Sequence, residues 1–119
     1  MQTTQIAFQV EPFTPHPWLT NAHAQTLAAE YFRKLQTKPA FRRVRLDTPD
    51  GDFLDVDFAE VENHTWAMLG EDAPILYVLH GLEGDARRGY ACALYQEAAA
   101  LGYRCVGINH RSCSGEMNR

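Results

Sequence analysis

Cysteine is scarce in this chain, and what there is forms no framework. Cys92, Cys105 and Cys113 are odd in number and irregular in spacing, so they provide neither a set of disulfide pairs nor a CxxC metal pair. Free thiols are the expectation, in keeping with a reducing compartment, and Cys105, inside an apolar run, belongs in the core. Long apolar runs are absent too. The longest helix candidate, Tyr90–Leu101, contains Gln96 and Glu97 and falls short of the roughly 20 residues a membrane-spanning helix needs. Met1–Val10 has no positive charge and no apolar stretch, which argues against a secretory leader. A cytoplasmic location is expected. The net charge of −4 excludes the basic stripe of a nucleic-acid binder, and Arg42, Arg43, Arg45, Arg87 and Arg88, lying in two separate places, read as solvated surface. No repeat and no low-complexity tract interrupts a composition ordinary for a globular domain, and 119 residues suffice for one small domain.

Metal chemistry finds little support. His16 and His23 are seven apart, which fits no common zinc spacing, His64 stands alone in a polar loop, and His110 follows a strand. No metal and no cofactor is expected.

Present instead is a change of pattern along the chain. Glu11–Thr20 carries three prolines in six positions, which excludes helix or central strand and predicts an extended arm whose Phe13, Trp18 and Leu19 seek burial. A short helix follows over Ala24–Leu35, capped by Thr20 or Asn21. Phe41–Asp47 and Phe53–Ala59 alternate around Thr48-Pro49-Asp50-Gly51, a turn in which Pro presets one φ and Gly accepts a positive one; this predicts an antiparallel hairpin. Residues 60–73 read as loop. Ile75–Leu79 is continuously apolar, the mark of a parallel strand buried on both faces, and ends in His80-Gly81-Leu82-Glu83-Gly84. A helix from about Arg88 to Leu101, stopped by Gly102, leads to a second apolar strand, Cys105–Ile108. Strand, helix, strand makes one right-handed βαβ unit. Such a unit leaves both parallel edges unpaired and its strands partly uncovered, so the isolated chain is expected to fold poorly or associate.

Four segments, in order, resemble the YheT-like family of esterases and acylglycerol lipases: Asn21-Ala22-His23-Ala24-Gln25-Thr26, Pro49-Asp50-Gly51-Asp52, His80–Gly84, and Asn109–Arg119. The resemblance runs from about Pro12 to Arg119. Ser112 and Met117 stand where family members often carry Gly and Pro, both at loop positions. The resemblance implies an α/β class: the N-terminal portion of an α/β-hydrolase fold, with a proline-rich arm and short helix over 1–40 and the first part of the hydrolase domain over 41–119. It implies a serine-type ester hydrolase acting on a small-molecule ester through an acyl-enzyme. In that fold one oxyanion donor comes from the loop after the third strand, and here the resemblance assigns it to the backbone N–H of Leu82. Gly81 would let the backbone turn sharply, Gly84 would leave room before the helix, and His80 would orient the loop rather than act as base, because the triad histidine comes last in chain order. On spacing alone, without the resemblance, His80–Gly84 reads first as a plain strand-to-helix turn that uses glycines for its geometry.

No serine satisfies G-x-S-x-G: Ser112 is flanked two residues away by His110 and Ser114, and Ser114 by Ser112 and Glu116. The same holds for the thiols, Cys105 between Tyr103 and Gly107 and Cys113 between Arg111 and Gly115. The nucleophile, acid and base are therefore expected outside this chain, which would be inactive alone. Arg111–Arg119 reads as a structural or pocket-rim loop, with substrate contact as the alternative. A non-catalytic interaction module or an acyltransferase on the same scaffold are the rival readings. Oligomeric state is not legible.

Overall fold

The computed structural model describes residues 10–34, 37–82 and 84–119. Helix α1 spans Ala22–Lys34, strands β1 and β2 Ala40–Asp47 and Phe53–Glu60, the single turn α2 Trp66–Leu69, β3 Ile75–Leu79, α3 Gly89–Ala100 and β4 Arg104–Ile108. The class is α/β, as expected. The four strands form one mixed sheet in the order β1-β2-β4-β3.

The arm departs from expectation. It is extended, but Phe13 and Trp18 are 79% and 88% exposed, and only Leu19 is half-buried. Apolar side chains seek cover, yet no described element lies over these two, and Trp18 meets only the edge of the His16 ring. Where the arm ends, Asn21 caps α1: its side-chain oxygen accepts the N–H groups of His23 at 2.8 Å and Ala24 at 3.4 Å, two donors that the first turn leaves without partners.

The hairpin forms in the predicted place. Its register runs from Ala40 opposite Glu60 to Asp47 opposite Phe53. Gly51 has φ +80°, and its N–H closes the turn on the Thr48 carbonyl at 3.0 Å. A side chain is strained at that φ, which is why the turn needs glycine. The loop expected over 60–73 is more ordered than its mixed composition suggests. β2 runs to Glu60, Val61 bridges His64, and α2 presents Trp66 to the sheet. The Trp66 ring stands edge-on to Phe58 at 4.9 Å, and its indole N–H donates to the Cys105 carbonyl at 3.3 Å.

Two expectations about the parallel unit need correction. β4 is interior, paired in parallel with β3 and antiparallel with β2, so one edge of the unit is closed by the hairpin. β3 is an edge strand, and it is not buried on both faces: Tyr77 and Leu79 are 61% and 64% exposed. A continuous apolar run shows that both faces of a strand are apolar; whether a layer covers each face depends on elements elsewhere in the chain.

α3 covers the other face. Across the sheet beneath it, the register sets out successive rows: Phe41, Ala59, Cys105 and Leu76, then Arg43, Asp57, Gly107 and Val78. The first row joins Ala91, Tyr95, Ala98 and Ala99 of α3 in the apolar core. In the second row Gly107 allows close approach: a Cβ there would lie 2.2 Å from the Tyr95 hydroxyl and 2.5 Å from the Ala86 Cβ. Gly102, at φ +90°, ends α3 with its N–H on Ala99, while the N–H of Tyr103 returns to Ala98, the paired bonds of a Schellman stop. Toward the carboxyl ends of β3 and β4 the rows turn polar, and that end of an open α/β sheet is where ligands bind.

Candidate functional site

The loop leaving β3 starts from a buried histidine. The His80 Nε2 accepts the backbone N–H of His110 at 3.0 Å. An acceptor Nε2 requires the proton on Nδ1, which donates to the Gly81 carbonyl at 2.8 Å. The His110 ring returns the contact, its Nε2–H donating to the His80 carbonyl at 3.1 Å. The two rings meet edge-on, 4.5 Å apart. His80 thus ties the end of β3 to the end of β4.

Gly84 comes back over this histidine. Its N–H donates to the Gly81 carbonyl at 3.0 Å, and a Cβ would meet that oxygen at 3.0 Å and the His80 ring nitrogen at 3.2 Å. Room is needed there, though the obstacle is the loop itself. Gly81 differs from expectation: its φ is not positive, and a Cβ would meet nothing within 4 Å. The turn does not require glycine at 81; open space lies in front of it. The Leu82 side chain is fully exposed, and among the described residues no acceptor takes its N–H.

Behind the loop lies a network that sequence reading divided into separate parts. Asp57, fully buried, accepts from Arg43 Nε at 2.9 Å and Nη2 at 2.8 Å, from Arg87 Nη2 at 2.6 Å and from Asn109 Nδ2 at 2.9 Å. Asp55 receives both arms of the Arg45 fork, at 2.8 and 2.9 Å, and the Ser114 hydroxyl at 2.7 Å. Arg43, Arg45 and Arg87 are therefore not merely solvated surface; they converge on carboxylates beneath the sheet's polar end. Burial opposes the charge on Asp57, but the bonds from Arg43, then Arg87 and Asn109, outweigh it and hold the carboxyl well below the usual range. Asp55 is lowered chiefly by Arg45, against burial and with help from Ser114. The signal was available in sequence: Arg43 faces Asp57 and Arg45 faces Asp55 once the hairpin register is drawn.

The segment after β4 is anchored to the hairpin. Asn118 donates to Asp52 and to the Phe53 carbonyl, each at 2.7 Å, Arg43 donates to the Ser114 carbonyl at 2.7 Å, and Glu116 pairs with Arg45 at 2.6 Å. Ser112 has φ +62°, a backbone conformation that glycine adopts at less cost. An open cleft of about 780 Å³ lies between this segment and the start of α3, lined by Lys38, Arg43, Arg87, Arg88, Ser112 and Cys113 among others. Among the described residues no group of three His, Cys, Asp or Glu side chains is placed to hold a metal ion, and no helix is long and apolar enough to cross a membrane.

The mixed sheet order and the strand-helix-strand crossover make this an α/β architecture. No family model matches the chain. It is 41% identical to the Escherichia coli protein named "Putative esterase YheT" over 90% of its own length and 30% of that protein's. It is 30% identical to human phospholipase ABHD3, over 89% of this chain and 26% of that one, and 28% identical to the embryogenesis-associated protein EMB8 of Picea glauca, over 87% and 23%. With the motifs and the sheet, these similarities show that the chain resembles the N-terminal portion of α/β hydrolases of the YheT-like family. It spans less than a third of the length of these relatives.

Proposed function

We propose that this chain supplies the oxyanion loop of a serine-type carboxylic ester hydrolase, an esterase or acylglycerol lipase, whose nucleophile, acid and base come from sequence beyond these 119 residues. The observation that carries this is the Leu82 N–H, without an acceptor among the described residues, on a loop held at both ends at the carboxyl edge of β3. Ester hydrolysis passes through a tetrahedral oxyanion, and a preorganised N–H aimed at the developing charge lowers that barrier. The open space at Gly81 lets a substrate carbonyl approach the loop backbone. Residues 41–119 would begin the catalytic domain, with 1–40 accessory to it. The names of the relatives point to esters, phospholipids included, as the substrate class. In this reading the chain alone is inactive, since neither Ser112 nor Ser114 has the sequence setting of a nucleophile and the Ser114 hydroxyl is engaged by Asp55.

The test is made in the full-length protein. Leu82→Pro deletes the amide proton and is expected to lower kcat on p-nitrophenyl esters by roughly 100-fold or more. Leu82→Ala keeps that proton and loses only a solvent-exposed side chain, so it should act near wild type. Equal losses would make side-chain packing the relevant feature and would remove the oxyanion role. Product analysis with water and alcohol acceptors separates hydrolysis from acyl transfer, and absence of turnover on any ester would favour an interaction module.

A further inference from the structure

We infer that Asn109 and His110, two consecutive residues at the carboxyl end of β4, are positioning residues for the oxyanion donor: they hold the two ends of the His80–Ala86 loop. The inference rests on the oxyanion reading above. At the near end, His110 gives its backbone N–H to His80 Nε2 and its ring N–H to the His80 carbonyl. At the far end, the Asn109 side-chain oxygen accepts the Ala86 N–H at 2.9 Å. Asn109 is itself fixed. Its Nδ2 donates to the Asp55 carbonyl at 3.0 Å and to Asp57 at 2.9 Å, so its amide has one permitted orientation.

Ala86 is held on three sides. Its N–H goes to Asn109, its carbonyl accepts the Tyr95 hydroxyl at 2.9 Å, and its Cβ sits where any side chain at Gly107 would collide. It is fully buried, as is Asn109 to within 1%. Between these clamps Leu82 is exposed and makes no described backbone bond. A donor must lie within a few tenths of an ångström of where the oxyanion forms, and a misplacement of about 1 Å can cost 100-fold in rate. Support for that placement comes from β4 and, through Asp57, from the hairpin and Arg87. The Asn109-His110 pair therefore acts on the transition state without touching it.

Three variants of the full-length protein test this, with Leu82→Pro in parallel. His110→Phe keeps the backbone bond to His80 and removes the ring donor. His110→Gln restores an N–H near the position of Nε2. Asn109→Ala frees the Ala86 end. His110→Phe is expected to lower kcat about tenfold with KM within about twofold, because the lost stabilisation belongs to the transition state. His110→Gln should recover most of that loss, and the affinity of an alkyl boronic acid, which forms a tetrahedral adduct, should fall by the same factor as kcat/KM. If Asn109→Ala does not fold, His110→Phe carries the test, since His110 is at the surface and lies beyond the end of β4. A raised KM with kcat intact would mean direct substrate binding and overturn the inference. So would wild-type kcat in His110→Phe while Leu82→Pro is inactive, which would leave the oxyanion reading standing. An active Leu82→Pro would bring down the oxyanion reading itself, and this inference with it.

Discussion

Replacing Asp57 by alanine should unfold this protein more readily than any change at its rim. Four hydrogen bonds from three residues end on this one buried carboxylate. Its removal leaves two guanidinium groups and an amide facing an apolar gap. Breaking a buried ion pair from one side costs about 3–5 kcal/mol. The Arg43 and Arg87 side chains are 31% and 40% exposed, however, and water will recover part of the loss. About 2–3 kcal/mol is the expected net, or a fall of about 8–12 °C in Tm at about 4 °C per kcal/mol for a domain of this size. Asp57→Asn should lose less, since one oxygen still accepts. pH adds a second signature. The folded carboxyl is held below its ordinary value, so its stabilising contribution is complete above the unfolded value, near 3.9, and is lost as pH falls further toward the folded one. The Tm difference between wild type and Asp57→Asn should therefore be widest near neutrality and narrow below about pH 4. Thermal unfolding followed by circular dichroism from pH 3 to 8 measures both. Glu116→Gln, at an exposed pair, is the control and should shift Tm by no more than about a degree. A Tm for Asp57→Ala equal to that of the control would refute the reasoning.

Gly107→Ala should cost at least as much as ordinary overpacking, about 1–3 kcal/mol, because the new methyl meets the Tyr95 hydroxyl and Ala86 together; an unchanged Tm would mean that this approach is looser than described. In native buffer a thiol reagent should modify Cys113 first, while Cys92 and Cys105 react only on unfolding. Both are buried, and burial raises both thiols, Cys105 to about 11; three equal rates would contradict this.

The hairpin was legible because its cause is local: two alternating runs and a turn whose Gly51 needs a positive φ. The helix limits were legible for the same reason, with Asn21 at one end and Gly102 at another. Asn109 was legible only as part of a motif. Nothing in its neighbours' identities reveals that its amide spans from Ala86, 23 residues back, to Asp55 and Asp57, more than 50 back. Gly81 was read as a glycine that a sharp turn needs; it does open the turn, its carbonyl accepting the Gly84 N–H, but its φ is not positive and does not require glycine.

Sequence by itself determined the periodicities, hence the elements and their order, together with the motifs that mark the family. These depend on φ preferences and on side-chain spacing along a few residues. Only tertiary structure decided which apolar faces are covered. Tyr77, Leu79, Phe13 and Trp18 have the same apolar character as residues that are buried, yet no described layer lies over them. It also decided what Arg87 does. The hairpin register already sets Arg43 opposite Asp57 and Arg45 opposite Asp55, but only the folded path of the loop between β3 and α3 brings Arg87 onto Asp57 as well, a contact no local pattern marks.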